Sequence, residues 1–362
     1  MNNTIYILSL EPIDTRYTSQ WYHSLPNLIA DAVTSNKKDY KVENVPGNII
    51  SGNTTDGAFL NFAETNLWKN TQINRIVTKF CNGEIKEGDI FVFPDAWHTG
   101  IIQLKYMSDL LGIPIKIHSI WHAGSYDPWD FLGQKVKDKT WSSNVERAFF
   151  YASDCNYFAT VYHARLFRDN LHINAMEHYD MIQEGKVVIT GLPFDYLKDV
   201  IVKPDSVEKE NLILFPHRIA TEKQVEVFKE LEKALPEYKF VVCQESRLSK
   251  GEYHSLLYKA KIVFSANLQE TLGIGQYEGA LAGAFPLVPD RLSYTEMYPG
   301  MFKYLDDYTN IGLSYDGKWN LVNRIKDIIF NYEMYIPEIK DLVKSLNPYF
   351  SGINLANKIV TT

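Results

Sequence analysis

Two glutamates, Glu270 and Glu278, stand in the segment ANLQETLGIGQYEGALAGAFPLVPD with seven residues between them. Ionised carboxylates only accept hydrogen bonds, so they suit the hydroxyls of a ribose or a hexose. Residues 261–266 predict a short apolar strand, residues 273–284 a helix opened by small residues, and residues 284–289 the next strand. Glu270 is thereby placed at the strand-to-helix turn and Glu278 inside the helix. At about 100° per residue, eight steps return to nearly the same helix face. Both carboxylates would then line a crevice at the carboxyl end of a parallel strand, where open α/β sheets bind ligands. Residues 271–275, with Thr271, Leu272 and Gly273 leading, offer uncapped N–H groups at a helix start. Gly273 and Gly275 permit close backbone approach, which makes a phosphate site. Phosphate donors and hydroxyl acceptors within nine residues suggest a nucleotide-sugar pocket.

A basic pair lies upstream. Residues 211–218, NLILFPHR, predict a strand and a turn, followed by TEKQVEVFKELEKALP. Thr221 and Gln224 form a capping-box pattern that starts a helix near Glu222, and Pro236 stops it. Lys223 then falls in the first helical turn, where the dipole disfavours a cation unless an anion is bound. Arg218 can make a bidentate contact to the same anion.

E-x7-E followed by small-x-small-Gly-x-x-Pro resembles the donor motif of retaining GT-B glycosyltransferases of the family-four type. The resemblance implies that Glu270 contacts the donor sugar and Glu278 the nucleotide ribose. It also implies that Arg218 and Lys223 grip the diphosphate, as the family's Arg-x4-Lys pair does. Leu272, Gly273 and Gly279 stand where the family has Phe-Gly and Ala. His217 and Gln224 replace two glycines. The implied architecture is α/β: two Rossmann-like domains with parallel sheets facing a central cleft. The implied reaction is metal-independent, retaining transfer of a hexosyl or pentosyl group to a hydroxyl, with a nucleotide-sugar donor of the UDP-sugar kind and no cofactor.

Two other classes fit parts of the pattern. Gly273, Gly275 and Gly279 with Asp290 make a loose dinucleotide fingerprint, which would suit an NAD(P)-dependent oxidoreductase. A non-catalytic nucleotide-binding module would use the same phosphate site.

The 362 residues suit two domains, each large enough for its own core. No apolar run is long enough for a membrane span. The N-terminus lacks a basic n-region, and three scattered cysteines suit a reducing compartment, so a cytoplasmic location is expected. A net charge of −7 gives no global nucleic-acid footprint. Short apolar runs alternate with helical stretches, as in βαβ units. We read residues 1–192 as an acceptor-side domain, 193–210 as a hinge and 211–362 as the donor domain. A helical tail from Lys318 would cross back in a GT-B fold.

In the first domain, IKIHSIWHAGSYD resembles the family's strand followed by a catalytic His, which marks His122. The family's next residue is Asp, where this chain has Ala123. His118 and His122 lack the companion Glu of a zinc-protease helix, and no Asp-x-Asp occurs, so no metal is expected. Asp95, Trp97 and His98 follow another strand, with Asp95 the best acid–base candidate. The opening EPIDTRYTSQW supplies Arg16 and Trp21 as acceptor-side candidates. It resembles loops of phage-encoded glycosyltransferases that modify hydroxymethylated pyrimidines in DNA. That resemblance implies a DNA acceptor and a host cytoplasm. Trp97, Trp121 and Trp129 near strand ends would hold a base outside the stack. A cell-envelope or glycoconjugate saccharide is the competing acceptor.

Overall fold

A computed structural model describes residues 3–13, 18–48, 50–51, 60–246 and 248–362. The chain divides into two compact units, Met1–Pro193 with Ser351–Thr362, and Phe194–Phe350.

The first unit carries a six-stranded parallel sheet. Its strands are β1 (Asn3–Ile7), β2 (Tyr40–Asn44), β3 (Ile90–Phe93), β4 (Lys116–Ile120), β5 (Cys155–Phe158) and β6 (Val187–Ile189). They run in the order β2-β1-β3-β4-β5-β6. Strands β3 and β5 are buried along their whole length, as sheets covered on both faces require. The C-terminal helix Ile353–Thr361 packs on the Trp21–Ser35 helix of this unit.

The second unit carries a five-stranded parallel sheet in the order β11-β10-β9-β7-β8. Its strands are β7 (Glu210–Phe215), β8 (Lys239–Val242), β9 (Ala260–Phe264), β10 (Phe285–Pro289) and β11 (Lys303–Tyr304). The expected hinge differs in extent from what is observed. Residues 194–210 belong to the second unit, because Phe194, Leu197 and Ile201 are buried there. Lys209 closes the segment, donating to the carbonyls of Leu257, Ala260 and Ala282.

The helix expected to start near Glu222 starts later. Thr221–Lys223 is a 3-10 turn, Gln224 adopts a left-handed conformation (φ 53°), and the helix runs Val225–Ala234. Gln224 does not complete a capping box. Its amide donates to the carbonyls of Ala266 and Thr309, both at 2.6 Å, and accepts from Gly312 N–H. Those three long-range bonds outweigh the local capping preference.

Candidate functional site

In the second unit, the loops after β7 and β9 meet beside the start of the Ile274–Leu281 helix. Gly273 caps that helix with φ 84°, and a Cβ there would lie 2.8 Å from Tyr294 Cε1. Only glycine accepts both conditions at low cost. Gly279 sits six residues further along, where a Cβ would lie 2.4 Å from Val263 Cγ2 of β9. It lets the helix lie against the sheet.

Glu270 precedes this helix and is partly buried. Its Oε1 accepts from Leu272 N–H at 3.4 Å, and its Oε2 lies 3.2 Å from Asn267 Nδ2 and 3.5 Å from Lys223 Nζ. Burial acts to raise its pKa. The Lys223 charge, His217 and the N–H groups of Leu272 and Gly273 outweigh burial, so the net shift is downward. The expected uncapped helix start is therefore corrected: Leu272 and Gly273 already donate to Glu270. The expected common helix face is corrected too, since left-handed Gly273 interrupts the helical phase between the two acids.

Glu278 lies in the helix and accepts from Tyr253 Oη at 2.7 Å. Burial pushes its pKa up to about 7, against that hydrogen bond. Its charge also acts on Tyr196 and Cys243. Thr271 links Glu270 to Leu272 and is partly buried.

The two cations differ. Lys223 is 6% exposed and spends its protons on the Gln269 carbonyl at 2.5 Å, Gln269 Oε1 at 3.2 Å and the Glu270 carboxylate. It does not lie in the first turn of the helix, which starts at Val225. Arg218 pairs with Glu222 through Nη2, and its Nε and Nη1 have no partner among the described residues. The structure thus joins Lys223, Glu270, Leu272 and Gly273 in one network. Glu278 stands beyond them on the helix, and Arg218 on the neighbouring turn.

The sequence reading missed three supports. Arg291 donates to the carbonyls of Ala266 and Asn267 and pins the loop that carries Glu270. His217 lies between the amides of Asn267 and Gln276, with burial holding its pKa at about 3. Glu222 holds Arg218. No local pattern marks these residues, because each partner comes from a distant loop or from a turn formed by tertiary bonds.

In the first unit, Asp95 lies 2.8 Å from Lys69 Nζ and accepts from Trp97 N–H at 3.0 Å. Burial would raise its pKa, but Lys69 and His122 hold it at about 2. His122 Nε2–H donates to the Pro94 carbonyl at 2.7 Å, and its ring lies 5.0 Å from that of Trp21. Burial lowers its pKa, partly opposed by Asp95 and the bond to Pro94. Asp95, His122 and Trp21 therefore cluster.

His98 is buried and does not join them. Its Nδ1 accepts from Gly100 N–H at 3.0 Å and its Nε2 faces Gln72, so it braces the start of the Gly100–Leu111 helix. Trp21 and Trp121 are core residues and cannot serve as open stacking platforms, whereas Trp129 is 44% exposed. Arg16 lies outside the described residues.

Glu146, also missed, is fully buried. It accepts from Ser125 N–H at 2.5 Å, Ser125 Oγ at 2.9 Å and Trp97 Nε1 at 3.1 Å. It thereby ties together the loops after β3 and β4. Burial pushes its pKa up to about 7 despite those donors. Among the described residues, no group of three or more His, Cys, Asp or Glu side chains could hold a metal ion. Among them, no helix is long and apolar enough to cross a membrane.

No protein-family model matches the chain, and no curated protein matches it. Solved structures do. The N-terminal domain of Candida albicans trehalose-6-phosphate phosphatase aligns with TM-score 0.58 at 11% identity, over 100% of this chain and 95% of that one. WaaG, a glycosyltransferase involved in lipopolysaccharide biosynthesis, gives 0.54 at 12% identity over 99% of both chains. A chain of the GtfA/B complex gives 0.52 at 13% identity over 81% of this chain, which spans only 61% of that longer one. At such identities the likeness defines the fold: α/β, of GT-B architecture, with two Rossmann-like units each built on a parallel sheet.

Proposed function

We propose that the chain is a retaining glycosyltransferase that moves a sugar from a nucleoside-diphosphate sugar, of the UDP-sugar kind, to a hydroxyl acceptor without a metal or cofactor. The observation that carries this reading is the second unit's convergence of Arg218, Lys223, Glu270 and the Ile274–Leu281 helix start, with Glu278 further along that helix. Arg218 keeps a guanidinium edge that is open among the described residues, for a diphosphate oxygen. The helix start adds the N–H groups of Ile274 and Gly275, and Lys223 sets the charge and position of Glu270. Glu270 accepts from hydroxyls of the donor sugar, and Glu278 from the ribose.

In this reading the acceptor oxygen bonds to the anomeric carbon as the bond to the diphosphate breaks on the same face. The leaving diphosphate takes the acceptor's proton, and its charge is stabilised by Arg218 and the helix start. The first unit takes the acceptor, beside the Asp95–His122 pair.

The inferred acceptor is a 5-hydroxymethylpyrimidine in DNA. Support comes from the N-terminal resemblance and exposed Trp129, while the core placement of Trp21 and Trp121 withdraws two of its aromatic faces. The lipopolysaccharide role of WaaG favours a saccharide acceptor as the second reading. The experiment is a screen of UDP-, GDP- and ADP-sugars for donor hydrolysis. It is followed by incubation of the active labelled donor with hydroxymethylated DNA and with oligosaccharides. Label entering DNA supports the first acceptor, and label entering only oligosaccharide supports the second. If no nucleotide sugar is turned over while NAD(P) binds, the transferase reading fails and the oxidoreductase reading replaces it.

A further inference from the structure

Arg218 lies in an irregular turn after β7, where the main chain does nothing to fix a long, rotamer-rich side chain. One residue fixes it. The Glu222 carboxylate accepts from Nη2, and the two side chains are 38% and 3% exposed respectively. The acid is therefore the anchored partner and the base the presented one. Glu222 is itself held, since its carbonyl accepts from Leu268 N–H at 2.7 Å, in the loop that leads to Glu270. A guanidinium is a planar fork with five donors. With Nη2 engaged, the plane is set and Nε and Nη1 stay open among the described residues.

We propose that Glu222 is a positioning residue, which orients Arg218 so that its open edge meets a diphosphate anion. The proposal rests on the reading of Arg218 as a diphosphate contact. A cation held in place before binding loses less side-chain freedom on binding. The turn of Arg218 is also tied through Glu222 to the loop of Glu270, so the anion and sugar contacts keep a fixed spacing.

The test is calorimetric titration of the full chain with UDP, GDP, ADP and inorganic pyrophosphate. Circular dichroism confirms that each variant is folded. Arg218→Ala and Glu222→Ala should each weaken the bound diphosphate by about tenfold or more, as loss of a charge-assisted contact implies. The double variant should be no weaker than Arg218→Ala alone. Glu222→Gln still offers an oxygen to Nη2 and should bind within about threefold of the parent. If Glu222→Ala does not fold, Glu222→Asp takes its place, since it keeps the charge but retracts it from Nη2. Parental binding by the folded Ala or Asp variant, with Arg218→Ala weakened, overturns the positioning role and leaves the diphosphate reading standing. Losses that add in the double variant overturn it equally. Parental binding by Arg218→Ala, or no binding of any probe by the parent, sinks the diphosphate reading itself.

Discussion

At the residue scale, the two cations of the site call for different outcomes. Arg218 is partly exposed and its one polar partner among the described residues is Glu222, so Arg218→Ala should lower donor kcat/KM by roughly 2–4 kcal/mol and cost less stability than the Lys223 change. Lys223→Ala removes the buried partner of Glu270 and two contacts to Gln269, so it should lower activity and also destabilise the fold by about 3–5 kcal/mol. Steady-state kinetics with denaturant melts would separate them, and equal melts for both variants would contradict the difference. The glutamates divide likewise. Glu278→Gln should mainly raise donor KM, since a ribose is held alike in ground and transition states. Glu270→Gln should mainly depress kcat. Equal loss of nucleoside-diphosphate binding in both would refute that division. Glu146 gives a pH test in the first unit. Its folded pKa of about 7 lies above its ordinary 4.5, so the folded state holds the proton more tightly. The stability it contributes is complete below 4.5 and is lost as pH rises through about 7. The full shift corresponds to about 3 kcal/mol. Glu146→Gln keeps an acceptor for Trp97 and Ser125 N–H and donates to Ser125 Oγ. It should therefore hold its stability between pH 5 and 8 while the parent declines. Parallel stability profiles for the two proteins would show that Glu146 does not titrate in this range.

At the element scale, the interior strands were legible because parallel strands buried on both faces read as unbroken apolar runs, as in β3 and β9. Strand β2, YKVEN, was not legible. It is a half-buried sheet edge in which Lys41 and Glu43 interrupt the apolar residues, so it carries no apolar run. Strand β11 is two residues long and exists only because β10 offers it a partner. The E-x7-E pair and the Arg-x4-Lys pair were visible as spacings. Their environment was not, because Gln224, Arg291 and Asn267 take partners from loops brought close only by folding. Gly279 shows the same limit. By spacing it only stood where the resembled family has Ala, whereas the fold presses it onto Val263. Alanine favours a helix over glycine by about 1 kcal/mol, but overpacking against a buried strand costs about 1–3 kcal/mol. Gly279→Ala should therefore be net destabilising in urea melts, and adding Val263→Ala should restore part of the loss. A single variant as stable as the parent would mean the helix shifts off β9 freely.

At the scale of the whole molecule, the first unit is completed by a segment that follows the second in sequence. The Ile353–Thr361 helix buries Leu355, Ala356, Ile359 and Val360 on the first unit's Trp21–Ser35 helix. Asn357 Oδ1 also accepts from Asn36 Nδ2 at 2.7 Å. Both units contain parallel sheets, whose contacts are far apart in sequence and slow to form. The first unit must wait for the last helix as well. Three large apolar side chains at about 1.5–3 kcal/mol each make that helix worth roughly 4–9 kcal/mol, a large share of a typical domain's stability. Truncation after Phe350 should therefore lower or abolish the first unit's thermal transition and leave that of Phe194–Phe350 nearly in place. Differential scanning calorimetry of the full and truncated chains would show it as selective loss of one transition, with tryptophan fluorescence following the lost one, since six of the seven tryptophans lie in the first unit. The truncated chain should still bind a nucleoside diphosphate, because Arg218, Lys223, Glu270 and Glu278 all lie in the second unit, and should fail to transfer sugar. Retention of both transitions would show that the terminal helix is an ornament of the first unit. Loss of nucleotide binding together with the first transition would show that the donor site depends on both units.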